Sequence, residues 1–125
     1  MKLSDTERTG RLGEVVAARY LRDRDYTILD ANFSSKTGEL DIVASDGYHL
    51  CIVEVKSRHE GQMFPPSEAV DYEKQQKIIN TAIYFGKVTK NTLPIRFDII
   101  EVVFTDDRHY TVNHIQNAFF DGESI

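Results

Sequence analysis

Apolar positions along the chain change period several times, and each change predicts an element. Leu12, Val16, Ala17, Tyr20 and Leu21 recur at helical spacing. They follow Ser4-Asp5-Thr6-Glu7, which has the form of a capping box with Ser4 as N-cap. The pattern predicts a helix to about Arg24, with Glu14 at the edge of its apolar stripe. Tyr26 to Leu29 reads as a short strand, and Asn32 to Gly38 as a loop. Leu40 to Ala44 and Leu50 to Lys56 are strand-like runs flanking a Ser45-Asp46-Gly47 turn signal, so they predict an antiparallel hairpin. Gly61 to Pro66 reads as a loop. A second helix is predicted from about Ser67 to Phe85, with Val70, Ile78, Ala82 and Phe85 on one face and Gly86 as its stop. Arg96 to Phe104 is a strong strand. Asp106-Asp107 turns it into a partner over Tyr110 to Ile115. The predicted order is αβββαββ: an α/β chain whose mixed sheet is flanked by helices.

Composition narrows the class. A length of 125 residues with 41% hydrophobic and 28% charged residues suits one ordinary globular domain. No apolar run reaches the roughly 20 residues of a membrane helix, and the N-terminus lacks a signal-peptide layout. The lone Cys51 forms no internal disulfide, so a reducing, cytoplasmic setting is expected. A net charge of −5 argues against a nonspecific nucleic-acid coat protein. It leaves room for an enzyme that meets phosphate through a metal and a few local cations.

The candidate chemistry starts at Glu54-Val55-Lys56. Alternation in a strand puts Ile52, Glu54 and Lys56 on one face and Cys51, Val53 and Val55 on the other. A Glu-x-Lys alone is a weak pattern, and a solvated edge pair explains it as well. Gly38-Glu39-Leu40-Asp41 strengthens it. Hairpin registers that pair Asp41 with Glu54, or Asp41 with Ile52 and Glu39 with Glu54, both put the two acids on one face. A register shifted by one residue separates them. Close carboxylates repel, so one takes a proton or a cation sits between them. Carboxylate oxygens with water suit Mg²⁺ or Mn²⁺. Such a metal serves phosphodiester hydrolysis, with Lys56 placed to neutralise phosphate.

These residues also carry a resemblance. Asp41, the Glu54-Val55-Lys56 strand and the helical crossover after it look like the PD-(D/E)xK nuclease superfamily. Gly13-Glu14 with Ala17, Tyr26, Asn32, Gly38-Glu39-Leu40-Asp41, Val53 to Arg58, Lys74, Lys77 and Asn117-Ala118-Phe119 resemble the YraN-like family of bacterial proteins across nearly the whole chain. The resemblance implies a restriction-endonuclease-like fold. It puts the catalytic acids and metal ligands on Asp41 and Glu54 and the lysine on Lys56. Archaeal Holliday-junction resolvases are remotely similar, and their first-helix glutamate has its counterpart in Glu14. The family pattern of an aromatic then Arg after Asn32 is broken here, since Phe33 is followed by Ser34-Ser35; the phosphate contact it implies is either missing or moved to Lys36. The implied partner is nucleic acid, DNA first. Resolvase-like cutting implies a homodimer.

Lesser candidates surround this set. Glu39 either supports the ligands from behind or orients the backbone before Asp41. Lys74 and Lys77 share a helix face and either meet phosphates, as the resemblance implies, or are simply solvated. Arg58 continues the Lys56 face and extends its cationic rim. His49, His59, His109 and His114 lack metal-ligand spacing and read as surface or strand residues. Cys51 reads as a core residue. Phe119 and Phe120 dock the tail on the sheet or cover a neighbour. Asp98 has no partner that the sequence identifies. Three functions follow, in this order: a metal-dependent endonuclease, a nucleic-acid-binding module that does not cut, and a protein-interaction domain.

Overall fold

Helix α1 (Asp5–Asp23) starts where the Ser4 hydroxyl accepts the Glu7 N–H at 3.1 Å, satisfying one of the free donors at the helix end. The computed structural model describes residues 2–120. After α1 come β1 (Thr27–Ser35), β2 (Gly38–Ser45) and β3 (Leu50–His59). A 3₁₀ turn at Pro66–Glu68 and helix α2 (Tyr72–Val88) then lead to β4 (Ile95–Phe104) and β5 (Tyr110–Phe119). The five strands form one sheet in the order β1-β2-β3-β4-β5. Only β3 and β4 run parallel, because the α2 crossover joins them; the other pairs are antiparallel. The expected αβββαββ order and mixed sheet are therefore observed.

Each helix covers one face. Val16, Ala17 and Leu21 of α1 pack on Ile42, Ala44, Val53, Val55 and Ile100. Ile78, Ile79, Ala82 and Phe85 of α2 pack on Leu40, Val43, Ile52 and Phe97. At roughly 1.5–3 kcal/mol for each fully buried large side chain, these two layers are the main source of stability. Burial on both faces explains why β3 reads as a nearly continuous apolar run. Among the described residues, no helix is long and apolar enough to cross a membrane.

Several boundaries differ from the expected ones. The Asn32-to-Gly38 segment is mostly strand: β1 continues to Ser35, and only Lys36-Thr37 turns the hairpin. Asn32 reads as a loop residue because it does adopt left-handed backbone (φ 56°), but inside the strand. Helix α2 starts at Tyr72 under an Asp71 cap, after the separate 3₁₀ turn, because Pro65 and Pro66 hold the preceding chain extended and then tightly turned. It passes Gly86 and stops after Val88. Strand β5 runs to Phe119, where Phe119 stacks on Phe97 at 5.1 Å, so this aromatic does dock on the sheet.

One irregularity positions the site. Along β2, Ile42 and Ala44 face α1 and Val43 faces α2, as the pleat requires. Leu40 breaks the alternation and packs with the α2 layer. Asp41 lies at the break, and Asn32 with its left-handed backbone is the residue left opposite it, between the Ala31–Ile42 and Phe33–Leu40 pairs. Here β2 also parts from β3, since their pairing runs from Ser45–Leu50 to Ile42–Val53 and ends.

Candidate functional site

Where β2 and β3 part, β3 has backbone donors without strand partners. Two carboxylates take them. Asp41 Oδ2 accepts the Val55 N–H at 2.9 Å. Glu68, on the 3₁₀ turn, accepts the Ser57 N–H at 2.9 Å through Oε1 and 3.2 Å through Oε2. Buried backbone donors need such partners. The capping acids thus wall a cleft of about 250 Å³ at the fork.

That cleft is lined by Glu14, Asp41, Glu54, Glu68 and Lys74, with Thr6, Glu7 and Gly10 of α1 at its side. The register carries the Ile42–Val53 pair toward Asp41 and Glu54, and both side chains line the cleft. Glu54 is only 5% exposed. Among the described residues, its Oε1 is buried without a hydrogen-bond partner. Burial pushes the Glu54 carboxyl well up, and the neighbouring Asp41 charge pushes it further; Lys74 opposes them. Asp41 is also raised by burial, against the Val55 N–H and Lys74. Glu14 is raised by burial and then by the Asp41 charge, while Asn32 and Arg11 oppose. Glu68 is raised by burial, against the Ser57 N–H. Burial of four carboxyls beside one lysine disfavours their charged forms, which a proton or a cation relieves.

The fit to a divalent metal rests on the Asp41–Glu54 pair. An orphaned buried carboxylate oxygen beside a second carboxylate is a hard-oxygen donor set of the kind Mg²⁺ and Mn²⁺ take, with water filling the remaining positions. Among the described residues, no three His, Cys, Asp or Glu side chains already converge on one point. Glu14 and Glu68 stand around the pair.

The remaining candidates divide. Lys74 lines the cleft. Lys56 sits beside it, with Nζ 4.0 Å from Glu101 Oε2 and 4.5 Å above the Phe64 ring. Arg58 braces the following loop, donating to the Gln62 carbonyl at 3.0 Å and lying over Phe64. Lys77 pairs with Glu73 at 3.8 Å on the exposed helix face. Glu39 is exposed, near enough to raise Asp41 but not lining the cleft. Glu68 has no counterpart in the sequence reading. Its only sequence signal is an acid behind Pro65-Pro66-Ser67, which looks like the start of a helix.

Asp98, which the sequence leaves without a partner, is fully buried. It accepts from Arg96 at 2.7 and 2.9 Å, lies 2.8 Å from His114 Nε2, and accepts the Asn117 N–H at 3.1 Å. Arg96 also reaches Asp46 Oδ2 at 3.1 Å and the Tyr26 hydroxyl at 2.7 Å. This network ties β4, β5 and Tyr26, just before β1, to the β2–β3 turn. Asp98 pairs with Val53, the residue before Glu54, and shares the α1 face with Ile100, while Glu54 shares the α2 face with Ile52. His114 is thus a buried strand residue and a structural one.

Fold and site together define an α/β protein with an acid-lined cleft at a fork between two strands of its one sheet. Residues 13–102 match the family described as "Uncharacterised protein family UPF0102", and the chain belongs to that family. A UPF0102 protein of Clostridium tetani is 41% identical over 118 residues, covering 93% of this chain and 97% of the relative. One from Caldanaerobacter subterraneus subsp. tengcongensis is 42% identical over 122 residues, covering 95% and 100%. A Porphyromonas gingivalis relative is 41% identical over 118 residues, covering 94% and 87%.

Proposed function

We propose that this protein is a Mg²⁺- or Mn²⁺-dependent endonuclease that hydrolyses phosphodiester bonds in nucleic acid, DNA first. The observation that carries this reading is the buried, unpartnered Glu54 Oε1 beside Asp41. Asp41 and Glu54 would hold the ion, and Glu14, lining the same cleft, would accept a proton from the attacking water. A bound divalent ion supplies charge stabilisation at the phosphoryl oxygens and a more acidic water. Lys74 neutralises phosphate entering the cleft. Lys56 lies one strand position pair beyond Glu54 and reaches the same phosphate once it leaves Glu101, an interaction that a surface-type pair holds only weakly.

The test is cleavage of supercoiled, branched and single-stranded DNA, and of RNA, with each metal. Wild type should cut at least one substrate, and Asp41→Asn and Glu54→Gln should both be inactive. Activity that survives either substitution sinks the reading.

The second reading is a nucleic-acid-binding module of the same fold that does not cut. The engagement of Lys56 by Glu101 and Phe64 favours it. Salt-dependent binding without turnover of any of these substrates selects it.

A further inference from the structure

A second cleft lies on the other side of Glu14 and Asp41. It encloses about 690 Å³ between α1 and the β1–β2 hairpin. Glu14 and Asp41 line both clefts, so the two adjoin at these residues. Arg11, Val15, Ala18 and Arg22 follow one another on one face of α1 along the second cleft. Ile28, Ala31 and Ile42 complete an apolar floor. The two arginines stand at its ends, about 16 Å apart at the 1.5 Å rise per helical residue. Both are exposed, and among the described residues neither is in an ion pair.

We propose that this groove is the track along which one strand of nucleic acid is led to Asp41 and Glu54. The inference rests on the function proposed above and adds the binding surface and the form of the substrate. The chain carries a net charge of −5, so phosphate attraction has to be local. Guanidinium groups at both ends suit phosphates, for which their planar forks are well matched. The apolar floor between them suits the faces of bases. A single strand bound along a cationic groove uses this combination. Size favours one strand over two. The volume lies within the roughly 300–1,000 Å³ of small-ligand pockets, which takes a nucleotide or two; a duplex, whose major groove alone is about 12 Å wide, does not enter.

The experiment is fluorescence anisotropy of the full chain with a labelled single-stranded DNA oligonucleotide and with its duplex, in EDTA, over a range of salt. An Arg11→Ala/Arg22→Ala double variant is compared with an Arg19→Ala control, since Arg19 is an exposed α1 residue outside both clefts. Calorimetric Mn²⁺ titration runs in parallel. The double variant should bind the single strand at least tenfold more weakly. Its salt slope should fall by about 1.4, at about 0.7 per lost phosphate contact on a single strand. Its Mn²⁺ binding and melting temperature should match wild type, and the control should behave as wild type throughout. Unchanged strand affinity in the double variant overturns the inference, as does tighter binding of duplex than of single strand. Mn²⁺ binding by a wild type that takes up no strand removes the groove alone. Strand binding through the arginines without Mn²⁺ binding removes the nuclease reading and keeps the groove.

Discussion

The Asp41 carboxylate accepts the Val55 backbone N–H at 2.9 Å, so the acid beside Glu54 also holds β2 to β3 where their ladder ends. Two roles in one side chain can be separated. Asp41→Ala removes the acceptor and leaves a buried donor unpaired, which costs about 1–3 kcal/mol. Asp41→Asn keeps an amide oxygen for the same bond. Both variants should lose Mn²⁺ binding by calorimetry, while only the alanine variant should lose stability in urea unfolding. Equal destabilisation by both would show that the charge, and not the hydrogen bond, matters for the fold.

Stability of the metal-free protein should fall as pH rises above the ordinary carboxylate range. Glu54, Asp41, Glu14 and Glu68 all have folded-state pKa values above their ordinary ones, 4.5 for Glu and 3.8 for Asp. Each therefore stabilises the fold fully below its ordinary pKa and loses that contribution as pH rises through the raised value. Asp46 runs the other way. Against its burial, the Tyr48 and His49 N–H groups and the His49 ring hold it down at about 2, so its contribution is lost only in strong acid. Metal binding needs the carboxylates ionised, so the rise in melting temperature on adding Mn²⁺ should grow with pH. Glu54→Gln should flatten both trends. Thermal melts between about pH 5 and 8, with and without Mn²⁺, check the sign; a metal-induced shift that shrinks with pH contradicts it.

Two glycines of α1 should respond oppositely to alanine. At Gly13 an added Cβ would lie 2.8 Å from Ser57 Cβ and closer still to its hydroxyl, so α1 would have to lift from β3. Overpacking of this kind costs about 1–3 kcal/mol, more than the ~1 kcal/mol gain in helix propensity. At Gly10 no atom of the described residues lies within 4 Å of the added Cβ, and the propensity gain stands alone. Urea midpoints should fall for Gly13→Ala and rise for Gly10→Ala. Because Glu14 follows Gly13, the first variant should also weaken Mn²⁺ binding.

Asp98→Ala should be among the most damaging single changes. It leaves the buried Arg96 guanidinium without its bidentate partner and frees the Asn117 N–H. Breaking a buried pair from one side costs about 3–5 kcal/mol. Any soluble fraction should still bind Mn²⁺, since Asp98 lies on the α1 face of the sheet and Glu54 on the α2 face. Metal binding lost in protein that remains folded would link the two faces.

The site and this network differ in how far the sequence discloses them. Asp41 and Glu54 are close because alternation and a short hairpin leave few registers, and such local rules act on neighbouring residues. Asp98 meets His114 and Asn117 only after β5 pairs with β4 around an irregularity near Asn117. No local period encodes that meeting. Asn32 misleads for a related reason: its left-handed backbone is a turn signal that here serves inside a strand. The exposure of Lys77 and the turn of Arg58 toward Gln62 depend on rotamers, which spacing does not specify.

Glu68 is the hardest residue to foresee and gives the sharpest test. The 3₁₀ turn at Pro66–Glu68 directs its carboxylate onto the Ser57 N–H, two residues along from the donor that Asp41 takes. Its role is then either to hold the open edge of β3 or to contact the ion. Glu68→Gln retains an oxygen acceptor and removes the charge; Glu68→Ala removes both. Capping predicts that the glutamine variant keeps stability and most of its Mn²⁺ affinity, while the alanine variant loses roughly 1–3 kcal/mol for the unpaired amide. Direct contact predicts that both lose metal affinity alike. The geometry supports capping, because both Glu68 oxygens already lie within 3.2 Å of the Ser57 nitrogen. Calorimetric Mn²⁺ titration of the two variants, with urea unfolding beside it, separates these outcomes.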